Sequence, residues 1–460
     1  MSFLILLTLL LPVSLGAPQP AVPQSPPNFI VILADDLGYG DLGCYGHPTI
    51  RTPQLDRMAA QGQRWTQFYA GESMCTPSRA ALLTGRWAIR SGMTANKPRV
   101  LLEDSLGGLP AAEITIAEAL QSNGYSTACI GKWHLGHLPE FMPRRNGFDY
   151  YFGLPYTNDS NRTASAPPMR ASFLNPRLEY WDLPLMRNEE IIERPADQHT
   201  LTRRYTQEAV KFLEKNVDKP FFLYLAHSMP HLPLFASREF QKKSVRGLYG
   251  DVVEELDWST GQIIDALRRL RLDNRTLVVF TSDNGPWLTF GKLGGSGGLL
   301  RGGKGGTYEG SLRVPGIFWW PGTVKPGVVT DQGAALDLFP TFMRLAGVKL
   351  PADGDLDGYD LSPALSGTGS SPRRVTFYYE GTELQAVRTG RFKVHFTADR
   401  QAKEDAPRVY DLEQDPSEKF NVAEQRQDVI EEAKKLADEH RASIRPAPNQ
   451  LLMRASAQSQ

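Results

Sequence analysis

Cysteine is nearly absent from this chain: its 460 residues include three, Cys44, Cys75 and Cys129. Three thiols make no disulfide framework, so a hydrophobic core has to carry the fold. Net charge is absent as well. Lys plus Arg and Asp plus Glu each number 51, which leaves no overall field to recruit nucleic acid or an anionic membrane. Any anion site must be local. Beyond the N-terminus no stretch is long and apolar enough to span a bilayer. What is present, 41% hydrophobic and 22% charged residues, is an ordinary globular composition with length for one large core and a smaller domain.

The run Phe3 to Leu15 is apolar but short, and it ends in Ser14-Leu15-Gly16-Ala17. It reads as a secretory signal over residues 1–16, cleaved after Gly16 because Pro18 disfavours a cut after Ala17. A basic n-region is missing, so a membrane-tethered N-terminus is the alternative. Export is expected, to a periplasm, the medium or a lysosomal-type compartment. Residues 17–27 form a Pro-rich extended leader. Asn158, Asn161 and Asn274 each open an Asn-x-Ser/Thr sequon, a number near chance that does not decide the compartment.

Four apolar runs of strand length then recur, each ending abruptly in polar residues. Phe29–Ala34 ends at Asp35-Asp36, Tyr125–Ile130 at Gly131-Lys132-Trp133-His134, Phe221–Ala226 at His227 and His231, and Leu277–Phe280 at Asp283-Asn284. Continuous rather than alternating apolarity predicts strands covered on both faces. Helical patterns precede or follow them: one opened by Thr52-Pro53 with Leu55, Met58 and Ala59 on one face, one from Thr115 with Glu118 completing a capping box, one around Tyr205–Val217, and one over Val252–Leu270. The alternation predicts an α/β fold with a large, mixed but mostly parallel sheet flanked by helices. Ligands bind such sheets at the carboxyl ends of the strands. Polar loops are normal there, yet four such endings point to one shared site.

Asp35, Asp36, Asp283 and Asn284 offer only oxygen, which suits calcium or magnesium and not zinc; the plainer alternative is a carboxylate pair capping a helix. Arg79, Lys132, His134, His231 and Lys304 would surround the same anion with positive charge and proton donors. His227 is read as a packing residue, Cys129 as a buried thiol, and Cys44 is unassigned. The glycine-dense loop Gly291–Gly310 has no dinucleotide or P-loop spacing and is expected to present Lys304. After about Ser370 the texture changes. A linker leads to short alternating segments near Val375–Tyr379, Leu384–Thr389 and Phe392–Phe396, then an amphipathic helix over Asp428–Ser443. The expected domains are residues 28–370, catalytic, and 371–460, a small α+β unit with a short antiparallel sheet and a tail.

The most specific stretch is Cys75-Thr76-Pro77-Ser78-Arg79 with Ala80-Ala81-Leu82-Leu83-Thr84-Gly85-Arg86. Thr76 suits an N-cap, Pro77 the first helical position and Gly85 the end. Cys75 would then sit at a helix mouth, where anions bind readily. The pentapeptide alone is equally compatible with a buried structural cysteine. The full run resembles the signature of the sulfatase family, Cys-x-Pro-Ser-Arg with Leu-Thr-Gly-Arg at fixed distance. Further matches follow: Gly38-Tyr39-Gly40-Asp41 after the Asp pair, Gly131–Gly136, His231-Leu232-Pro233, Ser282–Gly285, Gly303–Gly305, and Tyr410-Asp411-Leu412 with Asp415-Pro416, Glu418 and Asn421. Leu300–Gly310 is similar to the arylsulfatase A and N-acetylgalactosamine-6-sulfatase subgroup, which however is richer in disulfides.

The resemblance implies an alkaline-phosphatase-like fold and a sulfuric ester hydrolase acting on an aryl or carbohydrate sulfate. It implies that a formylglycine-generating maturation enzyme oxidises Cys75 to formylglycine (3-oxoalanine). The cation, Ca2+ with Mg2+ possible, would be held by Asp35, Asp36, Asp283, Asn284 and the modified Cys75. Catalytic roles fall to Cys75, Arg79, Lys132, His134, His231 and Lys304, through a covalent sulfo-enzyme. Substrate contacts fall to Lys132, His231, Lys304 and Thr157. The loop region Asn158–Gln198, with Tyr180, Trp181, Arg187 and Arg194, is expected to line the pocket rim. The competing readings are a phosphate or phosphonate ester hydrolase of the same superfamily and a catalytically dead binding protein, the latter disfavoured because no core residue is missing.

Overall fold

In the computed structural model, which describes residues 26–351, 356–396 and 406–454, strand β1 (Asn28–Ala34) is the axis of the molecule. The expected signal sequence and nearly all of the leader lie outside the described residues. β1 pairs in parallel on one side with β7 (Phe221–Ala226) and on the other with β8 (Thr276–Ser282). All seven β1 residues are buried. Its side chains alternate between two cores, as a two-residue period requires: Ile30, Ile32 and Ala34 join one, Phe29, Val31 and Leu33 the other. The first core is closed by helices Pro53–Gln61, Leu201–Lys215 and Leu248–Arg269, the second by Cys75–Thr84, Ile116–Gln121 and Leu338–Ala346. Double coverage is why these strands read as unbroken apolar runs.

The remaining strands of this sheet are β2 (Gln63–Tyr69), β3 (Ser126–Gly131), β4 (Tyr150–Gly153), β5 (Leu185–Arg187), β6 (Glu190–Glu193), β9 (Arg313–Trp319) and β10 (Gly327–Ala334). The ten run in the order β10-β2-β9-β8-β1-β7-β3-β4-β5-β6. β9 is antiparallel to both neighbours and β5 and β6 close the far edge antiparallel; the centre is parallel. This is the mixed, mostly parallel sheet expected. The capping box at Thr115 and Glu118 is present, and Gly62 follows the helix opened by Pro53.

A second, four-stranded antiparallel sheet orders β11 (Val375–Glu380), β12 (Glu383–Thr389), β13 (Phe392–His395) and β14 (Arg408–Asp411). The sequence patterning predicts three of these; β14 is short and overlaps the motif Tyr410-Asp411-Leu412. Helix Gln427–Ser443 packs Val429, Ile430, Ala433 and Ala437 onto Val387, Val394 and Val409. No helix among the described residues is long and apolar enough to cross a membrane.

Candidate active site

The strands β8, β1, β7 and β3 are consecutive and parallel, so their four polar endings emerge at one edge. The backbone there is tightly specified. Asp36 and His134 both adopt left-handed φ of 63°, a conformation that costs a non-glycine residue about 1 kcal/mol or more and that clusters at functional sites. Gly131 ends β3 with φ of 113°, and a Cβ on it would lie 1.8 Å from the Ala226 carbonyl oxygen. That close approach lets the Lys132 N–H donate to the same oxygen at 2.7 Å and sends the Lys132 side chain back under the site.

Helix Cys75–Thr84 begins at Cys75, with Met74 as its extended N-cap residue and no side-chain cap. The expectation for Thr76 and Pro77 is therefore corrected. Thr76 is the second helical residue and Pro77 the third. The Thr76 hydroxyl is engaged elsewhere, donating to the His134 carbonyl at 3.1 Å and accepting the Leu101 N–H at 3.2 Å, so it ties the helix mouth to the Lys132–His134 turn. Gly85 ends the helix as expected, at φ 68° with its N–H on the Ala81 carbonyl.

Around the Cys75 sulfur the charged groups form one network. Its Sγ lies 3.5 Å from Asp35 Oδ1, 3.9 Å from Asp36 Oδ1 and 3.3 Å from Lys304 Nζ. Lys132 Nζ donates to Asp35 Oδ2 at 2.5 Å. Lys304 Nζ is 2.8 Å from Asp36, not solvated as a loop lysine would ordinarily be. Arg79 is fully buried, donating from Nε to Asp283 Oδ2 at 2.9 Å and from Nη1 to the Lys132 carbonyl at 2.9 Å, with Asp35 at 3.5 Å. Asn284 donates to Asp36 Oδ1 at 2.7 Å. Lys304 reaches this group from the distant glycine loop because its own N–H is held by the Pro286 carbonyl and that of Gly305 by Ser73.

The protonation pattern follows from crowding. Burial works to raise Asp35, but Lys132, with Arg79 and Lys304, outweighs it and holds the carboxyl well below the usual range. Burial pushes Asp36 up to about 7, with Asp35 and Asp283 adding to the rise against Lys304. Asp283 is raised by burial and by Asp35. Burial also lifts the Cys75 thiol far above its usual value despite Lys132 and Lys304, so the unmodified sulfur is a neutral thiol and a poor nucleophile. Burial opposes the Lys304 charge, but Asp36 and its neighbours hold the amine protonated.

These groups fit a divalent cation. Ligand atoms of Asp35, Asp36, Cys75 and His231 lie within 4.8 Å of one another, all buried, and the Asn284 side-chain oxygen, Oδ1, is buried without a partner. Crowded carboxylates that resist ionisation are what a bound cation relieves. Asp35, Asp36 and Asn284 Oδ1 supply the oxygen that a hard ion requires, beside the Cys75 sulfur and one His231 ring nitrogen.

The two histidines are set in defined tautomers. His231 Nδ1 faces Asn158 Oδ1 at 3.0 Å and the Leu232 carbonyl at 2.5 Å, which leaves Nε2 toward Asp36 at 3.7 Å. His134 Nε2 faces the Leu101 carbonyl at 2.9 Å while its Nδ1 is buried and unpartnered. Burial and the nearby lysines lower both imidazoles well below their usual value, so both are neutral in the ligand-free protein. His227 is buried against Ser259, 3.3 Å away, as a packing residue.

Above them opens a cavity of 540 Å³ lined by Cys75, His134, Thr157, His231 and Lys304, by the apolar Met74, Val100, Leu102 and Trp287, and by the polar Asp159, Ser160 and Arg162. Thr157, expected to contact substrate, is among the lining residues. The rim expectation is met by Asp159, Ser160, Arg162 and Met169 and not by the four residues named for it. Trp181 is buried against Phe173 and Phe235; Tyr180 packs on Trp181; Arg187 pairs with Glu208 and Arg194 with Asp182. Trp287 escaped the sequence reading, and Asn158 and Asp159 entered it only as members of the rim region and, for Asn158, as a sequon. Asn158 reads as a sequon, yet its amide donates to the Gln198 side chain and the Pro233 carbonyl and is fully buried. Trp287 packs on His231 at 5.4 Å and under Lys304 Nζ at 4.8 Å; its place three residues after Asn284 was the available signal.

The chain is similar to known proteins in sequence and in fold. The family model described as Sulfatase matches residues 27–348, and that described as the C-terminal region of aryl-sulfatase matches residues 371–460. Arylsulfatase A of Homo sapiens is 44% identical over 426 residues, covering 86% of this chain and 83% of its own. N-acetylgalactosamine-6-sulfatase of Mus musculus is 38% identical over 474 residues, covering 95% and 89%. The crystal structure of Ps i-CgsB, also solved in complex with k-i-k-neocarrahexaose, superposes with a TM-score of 0.80 at 31% identity over 92% of this chain and 94% of its own. More distantly, the phosphonate monoester hydrolase of Agrobacterium radiobacter, at 22% identity and a TM-score of 0.62 over 91% of this chain and 95% of its own, shares the fold. The chain belongs to the sulfatase family and is a hydrolase of sulfate esters, with the alkaline-phosphatase-like architecture of that family.

Proposed function

We propose that this is an exported, calcium-dependent sulfatase whose catalytic group is a formylglycine made from Cys75 by a maturation enzyme, and whose substrate is a sulfated saccharide. The observation that carries the reading is the position of Cys75: first residue of a buried helix, floor of the cavity, within 3.5 Å of both Asp35 and Lys304. A thiol held neutral there has no evident use, whereas an aldehyde in the same place does. Once hydrated, formylglycine supplies two hydroxyls on one carbon, one to attack sulfur and one to let sulfate depart. Asp35, Asp36, Asp283 and Asn284, with the oxidised Cys75, would hold the cation, which when bound supplies charge to draw in and polarise the sulfate oxygens.

The chain's own residues would do the rest. Arg79 fixes Asp283 and, through the Lys132 carbonyl, the adjacent turn. Asp283, its affinity for protons raised, accepts the proton lost on attack. Lys132, Lys304, His231 and Thr157 bind the sulfate. Lys304 enters the reaction protonated and 3.3 Å from the Cys75 sulfur, placed to donate to the departing oxygen. His231 assists once the bound anion offsets the lysine charges that keep its imidazole neutral. The unpartnered Nδ1 of His134 is an acceptor for the proton released as sulfate leaves. The mixed cavity lining, aromatic Trp287 together with polar Asp159, Ser160 and Arg162, suits a sugar ring that presents both an apolar face and hydroxyls. We assign residues 1–16 as the signal, 28–370 as the catalytic domain and 371–460 as the C-terminal domain.

The test is to produce the protein with and without a formylglycine-generating enzyme and to measure the mass of the peptide holding Cys75. Turnover of 4-nitrophenyl sulfate should scale with the aldehyde fraction and fall by about 10³-fold or more in Cys75→Ala. Equal activity of the thiol form would overturn the mechanism. Faster cleavage of the matching phosphate diester or phosphonate ester would favour the other branch of the superfamily.

A further inference from the structure

The segment that delivers Lys304 to the site cannot fix its own shape. It is rich in glycine and contributes no core between Leu293 and Leu312 except Leu300. On one side it leans on the catalytic sheet, through Pro286 and Ser73. On the other it is gripped by two consecutive residues of the C-terminal domain. Ser417 Oγ donates to the Leu299 carbonyl at 2.6 Å. The Glu418 carbonyl accepts Arg301 Nη1 at 3.1 Å, and Glu418 Oε2 accepts the Glu309 N–H at 2.6 Å. These contacts bracket Lys304.

Glu418 is itself held from every side. Its other oxygen accepts Lys393 Nζ at 3.0 Å and faces His395 Nε2 at 3.1 Å, and Lys393 bridges on to Glu309 Oε1 at 3.1 Å. Lys393, Glu309 and Glu418 are all fully buried. Its backbone is left-handed at φ 50°, a strain kept in place by the turn around it. Asp415 Oδ2 accepts the Lys419 and Phe420 N–H groups, and Asn421 Oδ1 accepts those of Val409 and Ala423. The motif residues Asp415, Glu418 and Asn421 thus build one object, a rigid turn carrying one carboxylate. A buried ion cluster adds little stability over a well-packed apolar one; its use here is register.

We propose that Glu418 is a positioning residue for Lys304: through the Glu309 N–H and the Arg301 side chain it fixes the segment that holds the lysine amine beside Cys75 and Asp36. The C-terminal domain thereby takes part in leaving-group protonation without touching substrate. This rests on the reading of Lys304 as proton donor, and the experiment separates the two.

The variants Glu418→Gln and Lys304→Ala are compared on 4-nitrophenyl sulfate, whose leaving group needs little protonation, and on phenyl sulfate, whose leaving group needs more. Rates are normalised to the fraction of Cys75 converted to aldehyde. Glu418→Gln should lower kcat on phenyl sulfate by about 10–100-fold, a part of what general acid catalysis supplies, and change kcat on 4-nitrophenyl sulfate by less than about threefold. Merely structural damage lowers both alike. If Lys304→Ala discriminates between the substrates and Glu418→Gln does not, the positioning role is wrong. If Lys304→Ala does not discriminate, the proton-donor reading falls first. Should Glu418→Gln fail to fold, Arg301→Met removes the contact to the Glu418 carbonyl and should give the same selective loss to a smaller degree; an equal loss on both substrates would overturn the proposal.

Discussion

Two buried charge clusters lie within one chain and solve opposite problems. At the edge of β1, Asp35, Asp36 and Asp283 are packed with Arg79, Lys132 and Lys304, and the result is left unfinished: Asp36 is pushed up to about 7, and Asn284 Oδ1 has no partner. Between the two sheets, Glu309 takes hydroxyls from Tyr69 and Tyr378 at 2.7 and 2.8 Å and the Lys393 amine at 3.1 Å, with Arg313 nearby. Burial works to raise Glu309, yet Lys393, Arg388 and Arg313 together hold it down to about 2. The second cluster is complete in itself. The comparison separates a site built to receive something from a site built to hold two sheets in register.

The comparison breaks first at Lys393. Removing its charge leaves Glu309 and Glu418 facing each other with no solvent, and breaking such a buried pair costs about 3–5 kcal/mol. Lys393→Met should therefore unfold at much lower denaturant concentration than the parent. At low temperature, where it remains folded, its cation response at the catalytic edge should persist. A loss below about 1 kcal/mol would mean the cluster is not the closed network described.

The complementary expectation concerns the open cluster. Stripping divalent ions should destabilise the protein, and adding calcium back at about a hundredfold excess over Kd should restore about 2.7 kcal/mol. Because Asp36 is pushed up to about 7, an ion held there should displace its proton, so affinity should weaken as pH falls through about 7 and binding should release protons. Titration in buffers of different ionisation enthalpy checks the proton count. A larger thermal shift from zinc than from calcium or magnesium would contradict the oxygen-donor reading.

The same contrast explains what could be read from sequence. The open cluster was legible because its members sit at strand ends, where a run of apolar residues stops at Asp35-Asp36 or Asp283-Asn284, and strand ends can be aligned without coordinates. The sheet's centre was legible for the same reason. Its edges were not: β10 carries Thr330, Asp331 and Gln332, and β5 is three residues long. Nor could local sequence reveal that Asn158 belongs to His231, 73 positions away, or that the Thr76 hydroxyl is spent on the His134 turn and not on its own helix. The closed cluster was half visible. Glu418 could be matched to a motif, but its partners Glu309 and Lys393 come from separate elements that only the tertiary fold brings together.

Histidine provides the smallest and sharpest test of the comparison. Burial and cationic neighbours lower the imidazoles of His134 and His231, both of which line the cavity. His440 is pushed down to about 3, first by burial and then by Arg90 and Arg441, and it has no chemistry to serve. It stacks on Phe377 with ring centres 3.7 Å apart, and Trp87 and Tyr379 close the pocket. An unfolded chain takes up a proton at this residue near pH 6.5, while the folded one does not, so folding loses stability as pH falls below that value. His440→Phe removes the term and keeps the stack. Relative to the parent it should gain about 1–2 kcal/mol between pH 7.5 and pH 5, with unchanged turnover at neutral pH. Because every other titrating group is common to both proteins, parallel stability profiles across that range would mean that His440 is protonated in the fold, and that the aromatic pocket tolerates a charge the catalytic edge excludes.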